Sequence, residues 1–164
     1  MKIENYLIIT GIDPGTATTG WSAIKKTKKE LELLDYGIIA TSPKQTTGER
    51  LLKLYKEISA LIKRLKPDVL VVEKLFFFKN LKTALPVSEA RGVILLAAAN
   101  QKIKVIELTP LQIKMGICGY GRADKQQVQK MLKEILDLEK IPKPDDAADA
   151  IAAALCGAYS LKNQ

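Results

Sequence analysis

Tyr6-Leu7-Ile8-Ile9-Thr10-Gly11-Ile12-Asp13 is a short apolar, β-branched run that stops at Pro14-Gly15. A run of this length bounded by a turn signal reads as a buried strand, and here its last residue is an acid. Downstream, Thr19 to Lys26 and Leu31 to Ala40 read as two more strands, with Lys25-Lys26-Thr27-Lys28-Lys29 as a solvated hairpin tip. Gly48 to Leu65 carries Leu51, Leu54, Tyr55, Ile58, Leu61, Ile62 and Leu65 on one stripe, which predicts an amphipathic helix stopped by Pro67. Val69 to Glu73 is apolar on both faces, hence a central strand, and it too ends in an acid.

Leu81 to Gln101 reads as a helix interrupted near Pro86 and apolar nearly all round towards its end, so it is sandwiched in its own core or against a second copy. Lys104 to Leu108 is a fifth strand. Thr109-Pro110 opens a short helix that Gly119-Tyr120-Gly121 breaks. Asp124 with Gln127 forms a capping box for the next helix, whose buried side is Val128, Met131, Leu132 and Ile135. Pro142 and Pro144 mark a loop, after which Asp145 caps a last helix running to about Leu161. Strands first, then strand and helix in alternation, predict an α/β fold: a mixed five-stranded sheet flanked by helices, in one domain over residues 1–164.

Composition narrows the function. The chain has 164 residues, 47% hydrophobic and 27% charged, enough for a real core. Its formal charge of +8 favours a polyanionic partner. It has no histidine, which removes Ser-His-Asp and Cys-His mechanisms and His-based zinc sites. Cys118 and Cys156 are too few for a disulfide scaffold or a four-Cys zinc site and fit a reducing compartment. The longest apolar stretch, Val93 to Ala99, is too short for a bilayer, and Met1 to Asn5 lacks the charged start and apolar core of a signal peptide. A cytoplasmic protein with no membrane partner is expected.

Four acids then stand out. Asp13 and Glu73 end two central strands, and Asp146 and Asp149 lie three apart on one face of the last helix. Singly, they are what a turn, a sheet end or a helix start would carry. Together they weigh more, because sites in open α/β sheets gather beyond the carboxyl ends of strands. The rest of that helix face is alanine (Ala147, Ala148, Ala150, Ala152, Ala153, Ala154), which lets it press closely on a sheet. Two carboxylates ~4 Å apart repel by about 4 kcal/mol at an effective dielectric near 20, so such a cluster needs cations or raised pKa values. Oxygen-only ligands point to Mg²⁺ or Mn²⁺, and two such ions suit in-line displacement at a phosphodiester. No imidazole base is then needed.

Phe76, Phe77 and Phe78 follow Glu73 directly, and a strand cannot easily bury all three at once. One exposed Phe would stack on or wedge between bases. Lys74, Lys79, Lys82, Lys114, Arg122 and Lys125 flank the acids and are candidate phosphate contacts.

These residues resemble the RuvC family of Holliday-junction resolvases. The similarity runs from Gly11 to about Ala158 through GIDPG (Gly11 to Gly15), VVEKLFFFKN (Val71 to Asn80), EARGV (Glu89 to Val93), TPLQIK (Thr109 to Lys114), GYGRADKQQVQKM (Gly119 to Met131) and DDAADAIAAALC (Asp145 to Cys156). The resemblance implies a ribonuclease H-like fold and a dimeric, Mg²⁺-dependent endonuclease with two metal ions per site, Mn²⁺ being an alternative. It implies paired symmetric nicks in a four-way DNA junction during recombination and repair. Asp13, Glu73, Asp146 and Asp149 match the family's catalytic, metal-binding carboxylates. Phe76 matches its aromatic, with Phe77 and Lys79 beside it. Lys114 and Lys125 match its important lysines, and Arg122 lies in the same basic loop. The helix around Arg91 to Asn100 matches the dimer interface, and RuvA and RuvB are the implied partners. Members often carry a His near Gly157, which is absent here.

Three rival readings are separable. An actin-like ATPase or sugar kinase shares a loop like Gly11 to Thr16 but needs two such halves around a nucleotide. A non-catalytic junction-binding module would find four acids facing DNA an electrostatic liability. A related nuclease acting on RNA or other branched DNA is the nearest rival.

Overall fold

The computed structural model describes residues 6–74 and 81–161, apart from the side chains of Leu81 and Thr83. Five strands form one sheet: β1 (Leu7–Asp13), β2 (Thr18–Lys26), β3 (Leu31–Ala40), β4 (Val69–Glu73) and β5 (Lys104–Leu108), in the order β3-β2-β1-β4-β5. The β1–β2 and β2–β3 pairs are antiparallel, whereas β1–β4 and β4–β5 are parallel. Five helices flank it: α1 (Thr47–Leu65), α2 (Leu81–Asn100), α3 (Pro110–Cys118), α4 (Lys125–Ile135) and α5 (Asp145–Ser160). The mixed five-stranded architecture is the one expected.

Strand alternation sorts the core into two layers. Ile12, Ile39, Leu70 and Val72 face α1 and α2 and meet Leu54, Ile58, Ala90 and Ile94. Ile9, Ile24, Val69 and Val71 face the other way and meet α3, α4 and α5. Asp13 shares the parity of Ile9, and Glu73 that of Val71, so both carboxylates point to the α5 side.

The α5 helix lies almost flush on the sheet. From Ala147 to Ala158 every residue except Asp149 is buried. Glycines on the sheet permit the approach. A Cβ at Gly20 would overlap the carbonyl of Asp146, and one at Gly11 would overlap that of Ala150. The buried Ser22 hydroxyl donates to the Ala150 carbonyl at 3.0 Å, and Lys26 Nζ donates to the carbonyls of Ala158 and Leu161 at 2.6 Å each. The helix bearing two of the four acids is thus fastened along its length.

Three local expectations are corrected. First, α2 runs unbroken through Pro86. The missing N–H would have bonded to Lys82, near the helix start and exposed to water, so the loss is small. Second, Asp145 does not cap α5; Pro144 is the N-cap and Asp145 stands in the first turn. Third, the buried side of α4 includes Gln129 rather than Met131, which is 37% exposed. Gln129 is tolerated there because its amide donates to Asp145 Oδ1 at 3.0 Å. The Thr109 and Asp124 capping boxes form as expected, and α1 has one too, at Thr46 with Glu49. Among the described residues, no helix is long and apolar enough to cross a membrane.

Candidate active site

Strand register brings the first two acids together. Ile12 of β1 pairs with Val72 of β4, so Asp13 and Glu73 are the next residues of neighbouring parallel strands, about 4.8 Å apart in backbone. On its other side Asp13 pairs with Gly20, and Asp146 lies directly over that glycine. One turn further along α5, Asp149 is the single incompletely buried residue of the helix's central stretch.

The electrostatics record the same convergence. Burial, backed by the charges of Glu73, Asp149 and Asp146, pushes the Asp13 carboxyl up to about 8, against the pull of Lys125. Burial and the charge of Asp149 push Glu73 up to about 7, against Lys114 and Lys125. Burial also raises Asp149, although the hydrogen bond and charge of Lys125 oppose it. These groups meet a shortage of positive charge that only part of the chain relieves.

That partial relief is Lys125, at the start of α4. Its ammonium donates to Asp149 Oδ2 at 3.1 Å and lies 3.4 Å from Asp145 Oδ2. Burial works against the Lys125 charge, but the hydrogen bonds and charges of Asp149 and Asp145 hold its pKa above the usual lysine value. Gln129, Lys143 and Lys125 in turn keep Asp145 below the usual carboxylate range. Asp145 therefore holds Lys125 in place, a role the sequence could not signal because its partners come from another helix and a loop.

A cleft of about 260 Å³ opens beside the cluster, lined by Glu73, Lys114, Lys125 and Asp149 among apolar neighbours from α3, α4 and α5. Asp13 and Asp146 are not in its walls; they adjoin from the β2 side. Arg122 is exposed in the α3–α4 loop and does not line the cleft. Phe76, Phe77, Phe78 and Lys79 lie outside the described residues. Among the described residues, no three Asp, Glu or Cys side chains are set closely enough to form a complete cage for a metal, and the nearest cation to Asp149 is Lys125. The donor set nevertheless suits a hard divalent cation, being all oxygen, largely buried and short of positive charge.

The profile of crossover junction endodeoxyribonuclease RuvC matches residues 9–157. The chain belongs to the RuvC family. It is 49% identical over 160 residues to the crossover junction endodeoxyribonuclease RuvC of Natranaerobius thermophilus, covering 96% of this chain and 99% of that one. The structure of Thermus thermophilus RuvC superposes with a TM-score of 0.85 at 31% identity, over 94% of this chain and 95% of that one. The same relative in complex with a Holliday junction substrate gives a TM-score of 0.87 at 31% identity, over 94% of each chain. The fold is therefore the ribonuclease H-like one of RuvC nucleases, a family whose members are metal-dependent.

Proposed function

We propose that this chain resolves four-way DNA junctions as a homodimer, cutting two opposed strands by metal-dependent phosphodiester hydrolysis in recombination and repair. The observation that carries this reading is the meeting of Asp13, Glu73 and Asp149 from three elements beside a lysine-rimmed cleft, in a chain of the RuvC family. Asp13, Glu73, Asp146 and Asp149 are the catalytic carboxylates and hold Mg²⁺, two ions per site, with Mn²⁺ able to substitute. When bound, the ions supply a nucleophile at neutral pH and neutralise charge on the scissile phosphate and leaving oxygen.

The chain's own groups do the rest. Asp13 and Glu73 release the protons that burial lets them keep, and become acceptors. Lys125 exchanges its bond to Asp149 for a DNA phosphate while Asp145 keeps it nearby. Lys114, on the α3 wall, contacts the same strand. Arg122, Lys79, Phe76 and Phe77 meet the DNA, the lysine and arginine through phosphates and the aromatics by stacking at the crossover.

A two-fold dimer fits a substrate whose two cut strands are related by symmetry. Its seam is the outer face of α2, where the exposed Leu85, Glu89, Gly92, Leu96 and Ala99 alternate at spacings of four and three. Leu85 is 67% and Leu96 55% exposed, as a helix awaiting a second copy would leave them. The whole chain, residues 1–164, acts as one ribonuclease H-like nuclease domain in the cytoplasm, with the family's RuvA and RuvB as branch-migration partners.

The experiment offers labelled four-way junction and linear duplex side by side, with Mg²⁺ or chelator. Symmetric nicks near the crossover, on the junction alone and only with metal, are expected. Equal cutting of both DNAs, or cutting in chelator, would overturn the reading.

A further inference from the structure

The EARGV segment, Glu89 to Val93, contains a charged residue that the active site does not use. Arg91 points away from the exposed α2 seam and donates through Nη2 to Glu107 Oε1 on β5. The side chains of this pair are only 25% and 30% exposed, against 49% and 34% for the Lys125–Asp149 pair. Arg91 Nε is buried and has no partner among the described residues. Such a pair is a costly way to stabilise a helix, because desolvation offsets most of the attraction and one donor has no partner among the described residues. What a partly buried ion pair does supply is a fixed direction.

Direction is what α2 otherwise lacks at its N-terminal half. Among the described side chains of residues 81–90 only the alanines Ala84 and Ala90 are buried, and small side chains resist sliding poorly. Its C-terminal end is tied to α1, where Asn100 Nδ2 donates to the Tyr55 hydroxyl at 2.7 Å and Gln101 Nε2 donates to the Ser59 carbonyl at 3.2 Å. Arg91 ties the remainder to β5. Glu107 pairs in register with Val72, and the next pair is Leu108 with Glu73. Lys74 N–H closes onto the Leu108 carbonyl at 2.7 Å, and α3 with Lys114 begins two residues later. One end of the tie therefore adjoins Gly92 of the seam, and the other adjoins the strand ends that carry Glu73 and the α3 wall.

We propose that Arg91 and Glu107 are a positioning pair that fixes the distance and orientation between the dimer seam and each active site, so that the second strand is cut before the DNA leaves. This rests on the dimeric resolvase reading above. The pair touches neither substrate nor metal, so each separate cut survives its loss while the coupling of the two cuts does not.

The test uses a supercoiled plasmid with an extruded inverted repeat, which yields linear DNA when both cuts fall within one binding event and nicked circles when they do not. Wild type is expected to give mainly linear product. R91Q is expected to remain dimeric by sedimentation and to make the first cut within about threefold of wild type. Its ratio of linear to nicked product should fall by about tenfold or more, equivalent to ~1.4 kcal/mol of lost coupling. The reversed pair R91E/E107R should recover the ratio, which ties the effect to the ion pair, whereas a merely structural loss would slow the first cut as well. If R91Q does not fold, E107A carries the same test. An unchanged ratio, an equal fall in both cuts, or a monomeric variant would overturn the proposal. Wild type that leaves the plasmid uncut would instead refute the functional reading beneath it.

Discussion

Replacing Asp13 by asparagine should stabilise the metal-free protein at alkaline pH and abolish cleavage. The Asp13 carboxyl rises from 3.8 to about 8 on folding, chiefly through burial and then through Glu73, Asp149 and Asp146. Between those values the native state holds a proton that the unfolded chain has released, so stability falls as pH rises through the window. Below about 4 the penalty is absent, and above about 8 it is complete. At ~1.36 kcal/mol per unit, the ceiling is about 6 kcal/mol. Part of that is shared with Glu73, which itself titrates at about 7, so Asp13 alone accounts for about 2–3 kcal/mol. For a domain of this size that corresponds to roughly 4–12 °C in melting temperature. The assay is thermal unfolding in chelator at about pH 5 and about pH 8.5, repeated at saturating Mg²⁺. The Asp13→Asn variant should melt higher than wild type at the alkaline pH, by only about a third of that margin at the acid one, and Mg²⁺ should stabilise wild type far more. A variant that melts no higher at alkaline pH, or by the same margin at both, would refute the reasoning.

Asp149→Asn should lose at least ~10³-fold in cleavage rate, measured on labelled junction, while gel-shift affinity for that junction persists. Gly20→Ala should force α5 away from β2, because its Cβ would overlap the Asp146 carbonyl. A cost of about 1–3 kcal/mol in urea unfolding and a fall in cleavage rate are expected. Leu96→Glu should split the dimer in analytical ultracentrifugation, since it places charge in a seam where Leu96 is 55% exposed in the single chain.

The parts of the site that depend on local pattern were legible in the sequence. Asp13 and Glu73 end short apolar runs, and strand ends meet wherever two central strands pair in parallel. The alanines of α5 and the glycines at positions 11 and 20 are two halves of one close approach, but only the alanine half reads clearly along the chain. The illegible parts are tertiary. Asp145 looks like a helix cap and instead holds Lys125, because Gln129 and Lys125 reach it from α4 while Lys143 beside it adds a third donor. Met131 fits the apolar stripe of α4 better than Gln129, yet the amide is buried because it has a partner. Pro86 suggests a break, but its lost hydrogen bond falls where water can replace it. Arg91 is legible only as part of the EARGV motif and of the helix matched to a dimer interface, and its partner appears only once β5 places Glu107 opposite.

The most direct test of the central claim is where divalent ions sit in the folded protein. Crystals soaked in Mn²⁺ should show anomalous peaks ligated jointly by Asp13, Glu73, Asp146 and Asp149, with the Lys125 ammonium displaced from Asp149. Manganese bound elsewhere, or coordinated without Asp13 and Glu73, would contradict it.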